Sequence, residues 1–506
     1  MSGACHGVVG VVERKRMSVK YTTNPSEITC GGGASPLIPH HSFATLRPFR
    51  QPFRCPSMKR TLLLLLAFQC AAAQVPTPYA AERARPSEPW VTDGVIYEIY
   101  TRAFSKEGNF AGVEKRLPEL KELGVTILWI MPIHPVGAEK RKGTLGSPYS
   151  VQDYYGVNPE FGTLDDFKRL VAKAHALGLR VVIDLVANHT AWDSRMIRER
   201  PEWFTKDSSG KFVAPVADWS DVADLNYDNR DLRRYMIDML KYWVRDVGLD
   251  GFRCDVSEMV PVDFWDEARA ALDSLRPVFM LSEGMFAEHH RKAFDVTYGW
   301  NSYHTMADIF AGKKPASEMD SVLHRESLSF PKGSLRMRFS SNHDENAWDM
   351  PDVTKFGADG ARLAAVLTNT YPGVPLLYNG QEVGSDVKLG LFEKFEIDWM
   401  KGKEWREFYT KLFAVRRANP ALRTGRHVPV PNDRPQEVYS FLRTDGKNTV
   451  LVAANFAKEQ RSAALMLPKE ASGRKLTDAF TGQRARLGKK GELTLPAHGY
   501  AVYLVQ

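Results

Sequence analysis

Cysteine is nearly absent from this chain: there are five in 506 residues, and Cys5, Cys30, Cys55 and Cys70 all precede residue 74. Only Cys254 remains beyond that point. An intrachain disulfide framework is therefore excluded there, and stability must come from a hydrophobic core. Cys254 stands between Arg253 and Asp255 in a strand-like run, so it faces away from both and reads as a small buried hydrophobe.

Long hydrophobic runs are missing too. TLLLLLAF (61–68) is too short to span a bilayer. With Lys59-Arg60 before it and Ala71-Ala72-Ala73 after it, the run reads as a secretory signal beginning at Met58 and cut before Gln74. The bulky Phe68-Gln69 pair argues against a lipid anchor at Cys70. The expectation is a secreted or periplasmic protein without a membrane anchor. Residues 1–57 show no periodic pattern and read as an upstream extension.

A strong charge of one sign is lacking as well, although the formal net charge is +8. Residues 1–73 hold nine Lys/Arg against Glu13 and Glu27, so the 68 basic and 60 acidic residues become 59 and 58 beyond them. That balance offers nucleic acid no electrostatic footprint.

What is present is a rhythm of strands and helices. Strand-like runs fall at 94–100, 125–131, 179–186, 250–256, 278–283, 294–298, 335–341 and 374–379. Helical patterns separate them, clearest at 112–124, 165–178 and 231–248. Eight such alternations predict an α/β chain built on a parallel (β/α)8 barrel over residues 90–420, preceded by a linker at 74–89. From residue 421 the pattern turns to short alternating strands, an antiparallel β domain reaching residue 506. Residues 190–230, rich in Trp, Pro, Asp and Ser, form a long excursion after the third strand, expected to wall one side of a site.

Three acids end apolar runs: Asp255 in DGFRCDV, Glu283 in VFMLSEG and Asp344 in RFSSNHDEN. A carboxylate at a buried strand end is costly to desolvate unless its charge is used. The C-terminal strand ends of such a barrel are where chemistry collects. Arg253, two residues before Asp255, shares its face of the strand and can hold it ionised.

These residues lie in four ordered motifs: DLVANH (184–189), GFRCD (251–255), SEG around Glu283 and SNHD (341–344). Supporting segments are GSPYSVQDYYGVNPEFGT (146–163), VADLN (222–226) and YPGVPLLYNGQE (371–382). Together they resemble glycoside hydrolase family 13, the α-amylase family, from about Trp90 to the C-terminus. The resemblance implies retaining cleavage of α-1,4 bonds in an α-glucan or maltooligosaccharide, with no organic cofactor. It makes Asp255 the nucleophile, Glu283 the general acid/base and Asp344 the residue that grips sugar hydroxyls. His189 and His343 would donate to those hydroxyls, Tyr149 would lie under the sugar ring, and Asp184 would orient the region of Arg253. A transglycosylase or isomerase on the same scaffold, or a non-catalytic glycan-binding protein, are the alternatives; the three retained carboxylates speak against the last.

One departure sits directly after Asp255, where many α-amylases carry Lys-His and this chain has Ser257-Glu258-Met259. SEMVPVDFW is closer to the neopullulanase and maltogenic-amylase branch. The missing His also removes a usual calcium ligand, leaving Asn188 and Asp224 as the matching oxygens for Ca²⁺. No N-terminal β module precedes Trp90, so a monomer with an open cleft is expected. KRKGTLGSPYS (140–150) reads as a mobile loop lining that cleft or as a solvated turn.

Overall fold

The computed structural model describes residues 76–506. The signal-like segment and the four early cysteines lie outside the described residues. Eight parallel strands close into a barrel: β1 Ile96–Ile99, β2 Ile127–Ile130, β3 Arg180–Leu185, β4 Gly251–Cys254, β5 Phe279–Ser282, β6 Val296–Tyr298, β7 Leu335–Arg338 and β8 Val374–Tyr378. Each of the eight predicted runs contains one of them. Their order around the barrel follows the chain, and β1 pairs with both β2 and β8. These strands are buried almost throughout, which is why they read as near-continuous apolar runs rather than as alternations.

Local signals start the surrounding helices. Thr163 and Asp166 form a reciprocal capping box at the head of helix Leu164–Ala176. Asn109 and Asn229 cap helices Phe110–Leu123 and Arg230–Tyr242 with their side chains.

The excursion is a small substructure of its own. Strands His189–Ala191 and Val222–Asp224 pair antiparallel at its base, His189 facing Asp224 in register. The stretch expected as a linker is instead fastened along the barrel. Thr77 N–H donates to Leu328 O, Ala84 N–H to Lys332 O, and Arg85 Nη1 reaches buried Asp295 at 2.6 Å. Its backbone groups need partners, and the helix and loop leading into β7 supply them.

The C-terminal residues build a six-stranded antiparallel sheet centred on Val438–Thr444, Thr449–Asn455 and Tyr500–Val505, plus the pair Arg461–Ala464 with Glu492–Leu495. Its inner face packs on the barrel: Phe456 meets Phe310 at 4.9 Å, and Arg443 Nη1 donates to Thr370 O. Among the described residues, no helix is long and apolar enough to cross a membrane.

Candidate active site

Strand register places the charged residues. Arg253 on β4 lies beside Asp184 on β3, and both side chains point into the barrel. Arg253 Nη1 donates to Asp184 Oδ1 at 2.7 Å and to Asp255 Oδ1 at 2.9 Å. Its Nη2 makes an ion-pair contact with Glu283 Oε2 at 2.8 Å, out of line for a hydrogen bond. Nε donates to the Tyr298 hydroxyl at 3.2 Å, so this buried guanidinium is the hub of the site. Breaking one arm of such a cluster leaves an uncompensated buried charge.

A second chain of contacts begins on β1. The His343 Nδ1–H donates to buried Glu98, and His343 Nε2 lies 2.8 Å from the Tyr149 hydroxyl and 3.4 Å from Asp344 Oδ2. The Tyr149 hydroxyl donates onward to Asp184 Oδ2 at 3.1 Å. The Tyr149 and His343 rings stack, 5.5 Å apart with 21° between their planes. Glu98, His343, Tyr149, Asp184 and Arg253 thus form one continuous network, buried except at the partly exposed Tyr149. In the free protein His343 already has protein partners at both ring nitrogens.

Burial pushes the carboxyls up, against the pull of Arg253: Asp184 and Asp255 to about 6 and Glu283 to about 7. Burial alone would lower His343, but Asp344 and Glu98 outweigh it and raise the imidazole to about 9. His189 shows burial unopposed to the same degree and falls to about 4.

Glu283 is also held by backbone. The Val256 N–H donates to Glu283 Oε2 at 2.7 Å, and Val256 has φ 35°, ψ 44°. A β-branched residue in the left-handed region is strained, and strain of this kind collects at functional sites. The SEM segment explains a neighbouring glycine. Glu258 folds back to accept the Met285 N–H, and a Cβ on Gly284 would come within 2.5 Å of Glu258 Cγ.

Asp255, Glu283, His343, Asp344, Tyr149 and His189 line one cavity of about 350 Å³. Trp219 and Asp221 from the excursion, Lys142, and Trp348 and Phe392 complete much of its wall. Arg253 and Asp184 lie behind it. The motifs did not single out Glu98, Tyr298, Val256, Lys142, Asp221, Trp219, Trp348 or Phe392. Glu98 carried a usable signal, an acid in the middle of the apolar run GVIYEIY. The loop at 140–150 is not free: Lys142 pairs with Asp221 at 2.9 Å, and Leu145 N–H donates to Phe392 O.

Asn188 and Asp224 stand at the base of the excursion, where Asn188 Nδ2 faces His189 Nδ1 at 3.3 Å. Among the described residues no three His, Cys, Asp or Glu side chains converge on a metal position. Two side-chain oxygens fall short of the six to eight that calcium takes, so backbone carbonyls and water would have to supply the rest.

The alpha amylase catalytic-domain family matches residues 91–213 and 195–425, and the maltogenic amylase C-terminal-domain family matches residues 430–502. Alpha-amylase MalA of Haloarcula japonica is 27% identical over 447 residues, covering 84% of this chain, which spans 64% of that protein. Neopullulanase 2 of Thermoactinomyces vulgaris is 26% identical over 464 residues, covering 81% of this chain and 77% of that protein. A solved maltogenic alpha-amylase of Thermotoga neapolitana superposes with a TM-score of 0.74 at 32% identity, covering 82% of this chain and 99% of the other. On its motifs, its barrel and these matches, the chain belongs to the α-amylase family of glycoside hydrolases.

Proposed function

We propose that the protein is a retaining hydrolase of α-1,4-linked glucans or maltooligosaccharides. The observation that carries this is the grip of one guanidinium, Arg253, on both Asp255 and Glu283. Two carboxyls sharing a guanidinium match the short spacing of about 5–5.5 Å used by retaining enzymes better than the 6.5–9.5 Å of inverting ones. The Asp255 carboxylate attacks the anomeric carbon as Glu283 gives its proton to the departing oxygen. Glu283 then takes a proton from water, which attacks the same carbon and releases Asp255. A carboxyl raised to about 7 is protonated for the first step. Asp344, one-third exposed at the cavity, is placed to accept from sugar hydroxyls.

The test is Asp255→Asn assayed on soluble starch and maltooligosaccharides. Loss of cleavage is expected; undiminished cleavage would sink the assigned mechanism.

A second reading, transfer to another sugar, draws on the exposed side chains of Met259, Met285 and Phe286 on the β4 and β5 side. Such a surface favours a sugar ring over water as acceptor. We also propose action as a monomer, and action outside the cytoplasm, the latter supported by the signal-like Met58–Ala73 segment. N-terminal sequencing and light scattering of the exported protein test both points.

A further inference from the structure

The barrel mouth is not equally open all round. Glu283 follows β5, and its side of the rim carries the exposed Met259, Met285 and Phe286. Across the mouth, the loop after β2 is stitched to its neighbours on both flanks. On one flank Lys142 Nζ reaches Asp221 Oδ1 at 2.9 Å and donates to Asp218 O at 3.0 Å. Lys140 Nζ sits 3.5 Å over the Trp192 ring. On the other flank Thr144 N–H donates to Glu393 Oε1 at 2.9 Å and Leu145 N–H to Phe392 O at 3.0 Å. At Gly143 between them, a Cβ would come 2.6 Å from Phe392 Cβ. Three loops, after β2, β3 and β8, are thereby joined into one wall.

The chemistry gives this wall a direction. Glu283 protonates the leaving oxygen, so the leaving chain departs on the open β5 side. The sugar retained on Asp255, with whatever continues toward the non-reducing end, points the other way. There it meets Lys142, Asp221 and Phe392, which line the same cavity as the carboxylates. At about 350 Å³ the cavity lies near the small end of the range for ligand pockets, roughly 300–1,000 Å³.

Building on the α-glucan reading above, we propose that the loop over residues 140–147, clasped by the Lys142–Asp221 ion pair, is a stop for the non-reducing end. The protein then works from chain ends and releases short units of set length. Lys142 is the specificity-determining residue, because its charge fastens the loop to the excursion. Asp221 is buried, so removing Lys142 leaves an unpaired carboxylate that favours opening of the clasp.

The experiment compares two maltoheptaosides carrying the same chromogenic leaving group, one with a free and one with a chemically blocked non-reducing end. Product lengths are read by chromatography. The wild-type protein is expected to cleave the free substrate to short products and to turn over the blocked one slowly. In Lys142→Ala the blocked-to-free rate ratio should rise about tenfold, the scale on which one pocket contact discriminates, and longer products should appear. Lys142→Arg should restore the wild-type pattern. Equal wild-type rates on the two substrates, or unchanged product lengths in an active Lys142→Ala, overturn the stop alone. Absence of cleavage of either substrate by the wild-type protein overturns the α-glucan reading and the stop with it.

Discussion

The amide of Val256 donates to Glu283 Oε2 at 2.7 Å, from a residue whose own φ is 35°. The strand that carries Asp255 therefore holds Glu283 through a strained peptide, one residue beyond Asp255. Strain of this type costs on the order of 1–3 kcal/mol, against roughly 0.5–1 kcal/mol for the extra freedom of glycine. Val256→Gly is expected to be at least as stable as wild type in thermal unfolding, while kcat falls because the amide is no longer confined. A clear loss of stability would show that the left-handed backbone is not under strain.

The pH dependence follows from two carboxyls with separate tasks. In the proposed mechanism Asp255 is ionised and Glu283 protonated, so kcat/KM should be bell-shaped, with limbs near the raised values of about 6 and about 7. Glu283→Gln should lose the alkaline limb and on the order of 10²–10⁴ in rate. The same shift bears on stability. Glu283 binds its proton more tightly folded than unfolded, where its pKa is about 4.3. Its contribution is fully present below that value and is lost as pH rises through about 7. Glu283→Gln should therefore gain in Tm over wild type at pH 8 and much less at pH 5, at roughly 1 °C per kcal/mol for a chain of this size. A gap independent of pH would remove Glu283 as the cause.

Glu98 is predicted to act on the site through His343 without touching substrate. A charged hydrogen bond is worth ~1.5–3 kcal/mol, so Glu98→Gln should lower kcat/KM by about tenfold or more. The His343 imidazole, raised to about 9 partly by Glu98, should titrate at a lower pH in an NMR experiment on the variant. An unmoved titration would leave Glu98 a packing residue only.

Chelation tests the donor set at the excursion. Because Asn188 and Asp224 do not make a calcium cage by themselves, dialysis against EDTA is expected to leave kcat and Tm unchanged. A fall in Tm reversed by added calcium would overturn that expectation.

The barrel was legible because parallel strands buried on both faces write themselves as unbroken apolar runs, as in VTILWIM and LRVVIDLV. Asp255, Glu283 and Asp344 stood out because each ends such a run, and the structure brings all three to one cavity with Tyr149, His189 and His343. Glu98 showed as an acid inside an apolar run, but its role did not, because its partner His343 lies far along the chain. The Lys142–Asp221 pairing was illegible for a different reason: the loop over residues 140–150 reads equally as cleft lining or as a solvated turn until its partner in space is known. No residue type announces the backbone of Val256, since valine ordinarily avoids it.

Cys254 has a use that follows from its place in β4. Its thiol is fully buried, and burial pushes its pKa well above the ordinary value. In a chain beginning at Gln74 it is the sole thiol, so a cysteine reagent can react only when the strand between Arg253 and Asp255 opens. The labelling rate then becomes a clock for the breathing of the catalytic strand, read in the native protein without substrate. A ligand that seats against Asp255 would slow that clock, which turns a silent core residue into a reporter of site occupancy.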